Sequence, residues 1–326
     1  MEADLAARAG LTYRAIKTGQ LRGRAPWTAT HNLGHMAAGA RQTRAIIDTF
    51  GPDVCLVTGG YVCAPVVWAA NRARVPVLIY LPDLEPGMAI RVLSRWATRV
   101  AVSFPEALAW FPGKGVVTGY PVRAEFLAAA ADRAAARAHF GLEPGCKTLL
   151  VFGGSRGARA INQALGAALP ALLATCQVIH VSGAADWDAV QAQATRLPED
   201  VRARYHAFAY LHDDMARAMA AADLVVARAG ASTLGEFPAM ALPSILVPYP
   251  YAGQHQDTNA DYLVARGAAL KLRDAELAER LLPTVLAVLR DEQRLTSLAA
   301  GARQLARPDA ARALAEELVR LTRKPT

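Results

Sequence analysis

Leu149-Leu150-Val151-Phe152-Gly153-Gly154-Ser155-Arg156-Gly157-Ala158 is the stretch that decides the fold. Four apolar residues read as a buried strand, two glycines turn the chain, and a helix runs on through Leu173. A strand that feeds a helix through a glycine turn is the building unit of a parallel sheet covered by helices. Downstream the rhythm repeats. Gln177–Val181, Asp223–Val226 and Ser244–Val247 are further strands, and helices close the chain near 274–289, 292–305 and 308–321, with Pro308 suited to a first helical turn. Upstream, 54–57, 75–80, 100–103 and 115–118 read as strands after a helix over 32–50. Pro76 suits only the start of its strand. Between the two series, alanine-rich 128–140 is broken by Gly141-Leu142-Glu143-Pro144-Gly145. The expected domains are therefore 1–140 and 141–306, with 307–326 a C-terminal helix expected to pack back on the first. The fold class is α/β, two Rossmann-like parallel-sheet domains in tandem.

Composition supports this. The 326 residues suffice for about two domains. Hydrophobic residues make up 53% and charged residues 20%, too apolar a balance for a disordered chain. The net charge of +8 permits an acidic partner (nucleic acid, phosphorylated substrate or anionic lipid) without choosing one. It is unevenly placed: residues 1–140 hold 16 Lys/Arg against 9 Asp/Glu, the rest 20 against 19. The first part is thus the one expected to meet an anionic surface. Cys55, Cys63, Cys146 and Cys176 form no CxxC pair, and a reducing cytoplasm is expected. No apolar leader opens the chain. Residues 54–70 lack charge, but Gly59-Gly60 and Pro65 interrupt them, so a strand, turn and helix are expected instead of a membrane span.

Three segments carry chemistry. The first is the opening stretch, where glycines let a ligand approach the backbone, N–H groups at the helix start favour an anion, and Ser155 adds a hydroxyl. The same string fits G-x-S-x-G, the nucleophile elbow of hydrolases, with Asp213 or Asp214 and then His255 in the required order. A plain βα turn is the third reading. The second segment is Asp223-Leu224-Val225-Val226-Ala227-Arg228-Ala229-Gly230-Ala231-Ser232-Thr233-Leu234-Gly235-Glu236, a buried strand running into small residues at another helix start. Here a diphosphate would meet backbone N–H groups, and Glu236 suits ribose hydroxyls. The competing reading is a capping box, Thr233-x-x-Glu236. The third runs from Val247 through Tyr249, His255-Gln256 and Asn259 to Ala260, polar groups suited to sugar hydroxyls. All three follow strands, and ligands of open α/β sheets sit beyond the strands' carboxyl ends, so the three converge on one cleft. His31 and His35 are four apart, but two ligands without a third make a poor metal site. No P-loop and no G-x-G-x-x-G after a strand occurs.

Together these strings resemble the MurG family, bacterial transferases that move GlcNAc from UDP-GlcNAc to lipid-linked MurNAc-pentapeptide. The matching strings are Asp53-Val54 with Gly59-Gly60-Tyr61, Gly119-Tyr120-Pro121-Val122-Arg123, Gly153–Ala158, Asp213-Asp214-Met215, Arg228–Glu236, and His255-Gln256 with Asn259-Ala260. The resemblance implies a GT-B fold, two such domains facing a cleft, and an inverting, metal-independent transfer with no cofactor. It implies donor contacts at Arg123, Ser155 near the diphosphate, and the helix start Ala231, Ser232, Thr233, Leu234 and Gly235. It further implies Glu236 on ribose, His255 and Gln256 on GlcNAc, Asn259 in the same site, and the His212 backbone on uracil.

Two departures from the family stand out. Its Gly-Gly-Thr-Gly-Gly-His loop is not found, so the first domain is expected to be incomplete at its N-terminus, and a donor-binding fragment or split-enzyme subunit is the alternative function. The family's Glu-Gln-Asn is Leu81-Pro82-Asp83 here, and Asp83 is the one candidate for the base. Arg22, Arg24, Arg41 and Arg44 beside Trp27, Leu33 and Met36 suit an anionic membrane surface, with a solvated helix face as the alternative. The expected partners are UDP-GlcNAc, a lipid-linked acceptor and that membrane surface, not nucleic acid.

Overall fold

The computed structural model describes residues 9–19, 26–154, 158–250 and 255–322, together with residues 3, 6 and 7. Side chains of 26–30 lie outside the description, as do Arg22 and Arg24. Contacts divide the chain into two units: 1–82, 86–118 and 313–326 form the first, and 83–85 with 119–312 the second.

In the first unit, β1 (Cys55–Val57), β2 (Val77–Leu81), β3 (Arg99–Val102) and β4 (Gly115–Val117) form a parallel sheet in that order. All five residues of β2 are buried, so Val-Leu-Ile-Tyr-Leu packs on both faces, as a central parallel strand must. Val75-Pro76 precedes this strand, because proline has no N–H for the ladder. Residues 54–70 resolve into β1, a turn with Gly59 and Gly60 at φ 99° and 82°, and the helix Cys63–Arg72. No helix among the described residues is long and apolar enough to cross a membrane. The helix Ala310–Thr322 lays Leu314, Leu318 and Leu321 against Leu78, Tyr80 and Ala101 of this sheet. That spacing places all three on one helical face.

The second unit holds a six-stranded parallel sheet of β5 (Thr148–Phe152), β6 (Gln177–Val181), β7 (Tyr205–Phe208), β8 (Leu224–Ala227), β9 (Ser244–Leu246) and β10 (Ala269–Lys271). Its spatial order is β10-β9-β8-β5-β6-β7. Successive strands run one way from β5 and then the other way from β8, the Rossmann order. The chain therefore leaves β5 and β8 in opposite directions, and a crevice opens between their carboxyl ends. The core beneath is aliphatic, with Leu149, Val151, Ile161, Leu165, Val178, Leu224 and Val226 each at most 1% exposed.

The unit boundary differs from the expected one at 140/141. The helices Ala124–Ala131 and Arg133–His139 pack on Met215–Ala221 and so belong to the second unit. Alanine makes the stretch look like a linker, yet it is what allows helices to approach closely. Phe126 and Ala136 are buried at that contact.

Candidate functional site

A cavity of 780 Å³ lies at the carboxyl ends of β5 and β8. Phe152, Gly153, Gly154, Ala158 and Arg159 form one wall, and Arg228, Gly230, Ser232 and Thr233 another. Tyr249, Gln256 and Asp274 complete it. The segments after β5, β8 and β9 thus meet as their positions after strands require. Gly154 has φ 84°, a backbone state that a side chain at that position would strain.

The capping box is not formed. Ser232 occupies the N-cap of the helix Thr233–Ala239 with helical angles, φ −62° and ψ −31°, and caps no N–H. A side chain caps from extended backbone, which Ser232 lacks. Its hydroxyl instead hydrogen-bonds the Glu236 carboxyl. Thr233 Oγ1 donates to the Gly230 carbonyl at 2.7 Å and pins the preceding loop.

Arg228 is almost buried. It pairs with Asp274, donates to the Val247 and Pro248 carbonyls at 3.3 and 3.2 Å, and lies 5.5 Å from the Tyr249 ring centre. It therefore ties the end of β8 to the end of β9. Gln256 accepts from the Tyr249 N–H at 2.9 Å, which fixes the rim opposite. Tyr249 lies in the third segment that the sequence singled out, whereas Asp274 and Arg159 as cavity walls were overlooked. Only Arg159 carried a signal, sitting one residue beyond the Gly153–Ala158 string.

Glu236 is not in the cavity lining. It belongs to a second polar group with Tyr120, Arg123, Glu125 and Asp83. Burial raises its pKa to about 7; Arg123 and the Ser232 hydrogen bond pull it down, and Glu125 pushes it up. Arg123 pairs with Glu125 at 2.7 Å and covers the Phe126 ring at 4.6 Å. Tyr120 is pushed up to about 12 by burial, then by Glu236 and Asp83. Its ring packs on Gly235, where an added Cβ would come within 2.2 Å of it. Leu234 is buried beside it, and Ala231 is half-buried. Asn259, 1% exposed, donates to Asp83 Oδ1 at 3.2 Å and to the Ala229 carbonyl at 3.1 Å. Asn259 Oδ1 and His255 Nδ1 are buried without partners among the described residues.

Other candidates fall apart from these groups. His212 is exposed and its ring lies 4.6 Å from that of Tyr210, tilted by 58°, outside the cavity lining. Ser155 lies outside the described residues. Asp214 is engaged by Arg217 at 2.6 Å and His139 at 3.2 Å, and Asp213 lines a separate depression with Glu125 and His139. The acid expected by the hydrolase reading is thus committed elsewhere. The His31 and His35 rings meet at 4.3 Å. Among the described residues no His/Cys/Asp/Glu group is placed to hold a metal.

The glycosyltransferase family 28 C-terminal domain matches residues 148–314, and the family's N-terminal domain matches residues 1–102. A UDP-N-acetylglucosamine–N-acetylmuramyl-(pentapeptide) pyrophosphoryl-undecaprenol N-acetylglucosamine transferase of Roseiflexus sp. is 44% identical, over 97% of this chain and 80% of its own length. A relative with the same description from Nitratidesulfovibrio vulgaris is 41% identical, over 98% and 86%. The crystal structure of Acinetobacter baumannii MurG superposes with a TM-score of 0.75 at 27% identity, covering 98% of this chain and 88% of that one. A Neisseria meningitidis UDP-GlcNAc 2-epimerase shares the fold alone, with a TM-score of 0.65 at 12% identity. With relatives this similar over almost the whole of this chain and 80–88% of their own length, the chain belongs to glycosyltransferase family 28 and, within it, to the MurG family.

Proposed function

We propose that the chain transfers GlcNAc from UDP-GlcNAc to lipid-linked MurNAc-pentapeptide, the step that completes the disaccharide of a peptidoglycan precursor. The relatives are described as transferases of this reaction. The observation that carries the reading is the cavity at the carboxyl ends of the neighbouring strands β5 and β8, walled by Gly153-Gly154, Gly230, Ser232, Thr233, Arg159 and Arg228. Both guanidiniums have carboxylate partners, Asp186 and Asp274. They offer directed N–H groups more than surplus charge, which suits a diphosphate that must also leave.

In this reading the diphosphate lies between the two glycine-bearing loops, with Ser155 beside it. The uracil reaches the His212 backbone, Glu236 accepts from ribose hydroxyls, and His255, Gln256 and Asn259 face the sugar. Arg123 steadies Glu236 and the donor together. The acceptor C4 hydroxyl attacks the anomeric carbon from the face opposite the diphosphate, the configuration inverts, and UDP departs. Asp83 is the group proposed to take the hydroxyl proton, and Asn259 holds its carboxylate through Oδ1. No metal or cofactor enters this scheme. The enzyme works in the cytoplasm against the inner face of the plasma membrane, where the positive charge of residues 1–140 meets anionic lipid. Its product serves cell-wall growth, and through it cell shape and division.

Incubation with labelled UDP-GlcNAc and the lipid-linked acceptor tests this. Labelled lipid product with release of UDP is expected. UDP binding without transfer would leave only a donor-binding chain, and loss of neither ligand on mutating the cavity would sink the site.

A further inference from the structure

A chain of polar side chains crosses the interior of the second unit and ends on the cavity wall. His180 sits in the middle of β6 and is 1% exposed. Its Nε2 is 3.0 Å from Asn162 Oδ1, and its Nδ1 is 2.7 Å from the Tyr205 hydroxyl. The surroundings assign every proton. Asn162 Nδ2 lies 2.9 Å from the Ser182 carbonyl oxygen and 2.9 Å from Asp186 Oδ2. A carbonyl and a carboxylate only accept, so the Asn162 amide nitrogen faces them and its oxygen faces His180. His180 Nε2 therefore carries the hydrogen, and Tyr205 donates to the bare Nδ1. At the far end, Asp186 Oδ1 accepts from Arg159 Nε at 3.2 Å. From Tyr205 to Asp186 the donors all point the same way, so each bond polarises the next, and the run ends on the carboxylate that holds Arg159.

Packing alone does not call for this network. His180 pairs in register with Val151, and Asn162 is buried on the helix that carries Ile161 and Leu165, where aliphatic side chains would avoid the cost of desolvating an amide and an imidazole. Asp186 precedes the helix Trp187–Thr195 with φ −111° and ψ 5°, an unextended backbone from which its side chain caps no helix N–H. Its carboxylate is turned to Asn162 and Arg159 instead.

We infer that Arg159 contacts the diphosphate of the nucleotide donor, and that Asp186, Asn162 and His180 are positioning residues that fix its guanidinium against the cavity wall. This rests on the reading that the cavity takes a nucleotide sugar. With Nε committed to Asp186, the two Nη groups form a planar pair matched to two phosphate oxygens. A guanidinium 72% exposed would otherwise sample many rotamers, and the tether removes that freedom before the ligand arrives.

Calorimetry on the full chain with UDP, UMP and uridine, alongside steady-state transfer, tests the inference. Arg159→Ala is expected to weaken UDP at least tenfold and leave uridine within twofold, which also shows that the variant folds. Arg159→Lys should recover only part, because an ammonium lacks the Nε anchor. Asp186→Asn and Asn162→Ala should each weaken UDP several-fold, raising KM for the donor more than they lower kcat. The double variant Arg159→Ala/Asp186→Asn should bind UDP no worse than Arg159→Ala alone. An unchanged preference for UDP over uridine in Arg159→Ala, or additive losses in the double variant, would overturn the inference while the donor reading stands. A wild-type chain that takes up neither UDP nor UDP-GlcNAc would overturn the donor reading and this with it.

Discussion

Glu236 and His180 are both titratable, both shifted by burial, and shifted in opposite senses for stability. Glu236 is raised to about 7, so its folded-state proton is held more tightly than in the unfolded chain. The stability it contributes is full below its ordinary value and is lost as pH rises through about 7. The role proposed for it on ribose is best served by the ionised form as acceptor. UDP affinity measured by calorimetry should therefore rise about tenfold from pH 6 to pH 8, since a group with pKa near 7 is mostly protonated at the first and ionised at the second. Glu236→Gln should flatten that profile. His180 is lowered to about 4 by burial, against a weaker pull from Asp186. The unfolded chain then binds the extra proton, and stability falls as pH drops from about 6.5 toward 4. Denaturant titrations at pH 7.5 and 5 should show the wild type losing roughly 2 kcal/mol more than His180→Gln across that interval. Equal losses would mean that His180 is not buried neutral. The residue types at these positions were legible in advance only for Glu236, which stands in a recognisable string. His180 stands inside an otherwise apolar strand, and nothing local distinguishes a relay from a stray histidine.

At the scale of elements, the short helix Thr233–Ala239 is placed by what it touches more than by its own propensity. Seven residues with Pro238 inside would hold poorly alone. Gly235 lets the Tyr120 ring lie directly on the helix, and an added methyl would meet Cδ1, Cγ and Cβ of that side chain at 2.2 to 2.8 Å. These atoms lie near the root of the side chain and have little room to yield. Gly235→Ala is expected to cost about 1–3 kcal/mol in chemical denaturation and to weaken UDP as the helix shifts. Adding Tyr120→Ala to it should recover part of that loss; no recovery would place the strain elsewhere. Most strands were visible as apolar runs. Two were not: β7, half-buried along its whole length, and β10, three residues of Ala-Leu-Lys. Neither has a period to read, and each exists because a neighbour offers its edge.

For the whole molecule, charge and connectivity set what the two units do. The positive excess of residues 1–140 is expected to hold the chain on anionic vesicles at low salt and release it by 0.5 M, where screening is short-ranged. Arg41 and Arg44 are both exposed, and Asp48 partly neutralises Arg44 at 2.9 Å, so Arg41 carries more of the attraction. Reversing both to glutamate should weaken sedimentation with phosphatidylglycerol vesicles about tenfold or more, at about 1 kcal/mol for each charge near the surface. Binding that ignores both salt and these changes would point to another surface. The linear order of residues was enough for the alternation of strands and helices, the glycine turns, the charge asymmetry and the family likeness, because each is a pattern within a few neighbouring positions or a simple sum. The tertiary structure alone decided that the unit boundary falls at 118/119, that β5 and β8 lie side by side, and that Arg159 is tethered through Asp186 and Asn162 to His180. Those facts depend on pairing between segments far apart in the chain, which packing of the two buried sheet faces selects and no local period encodes.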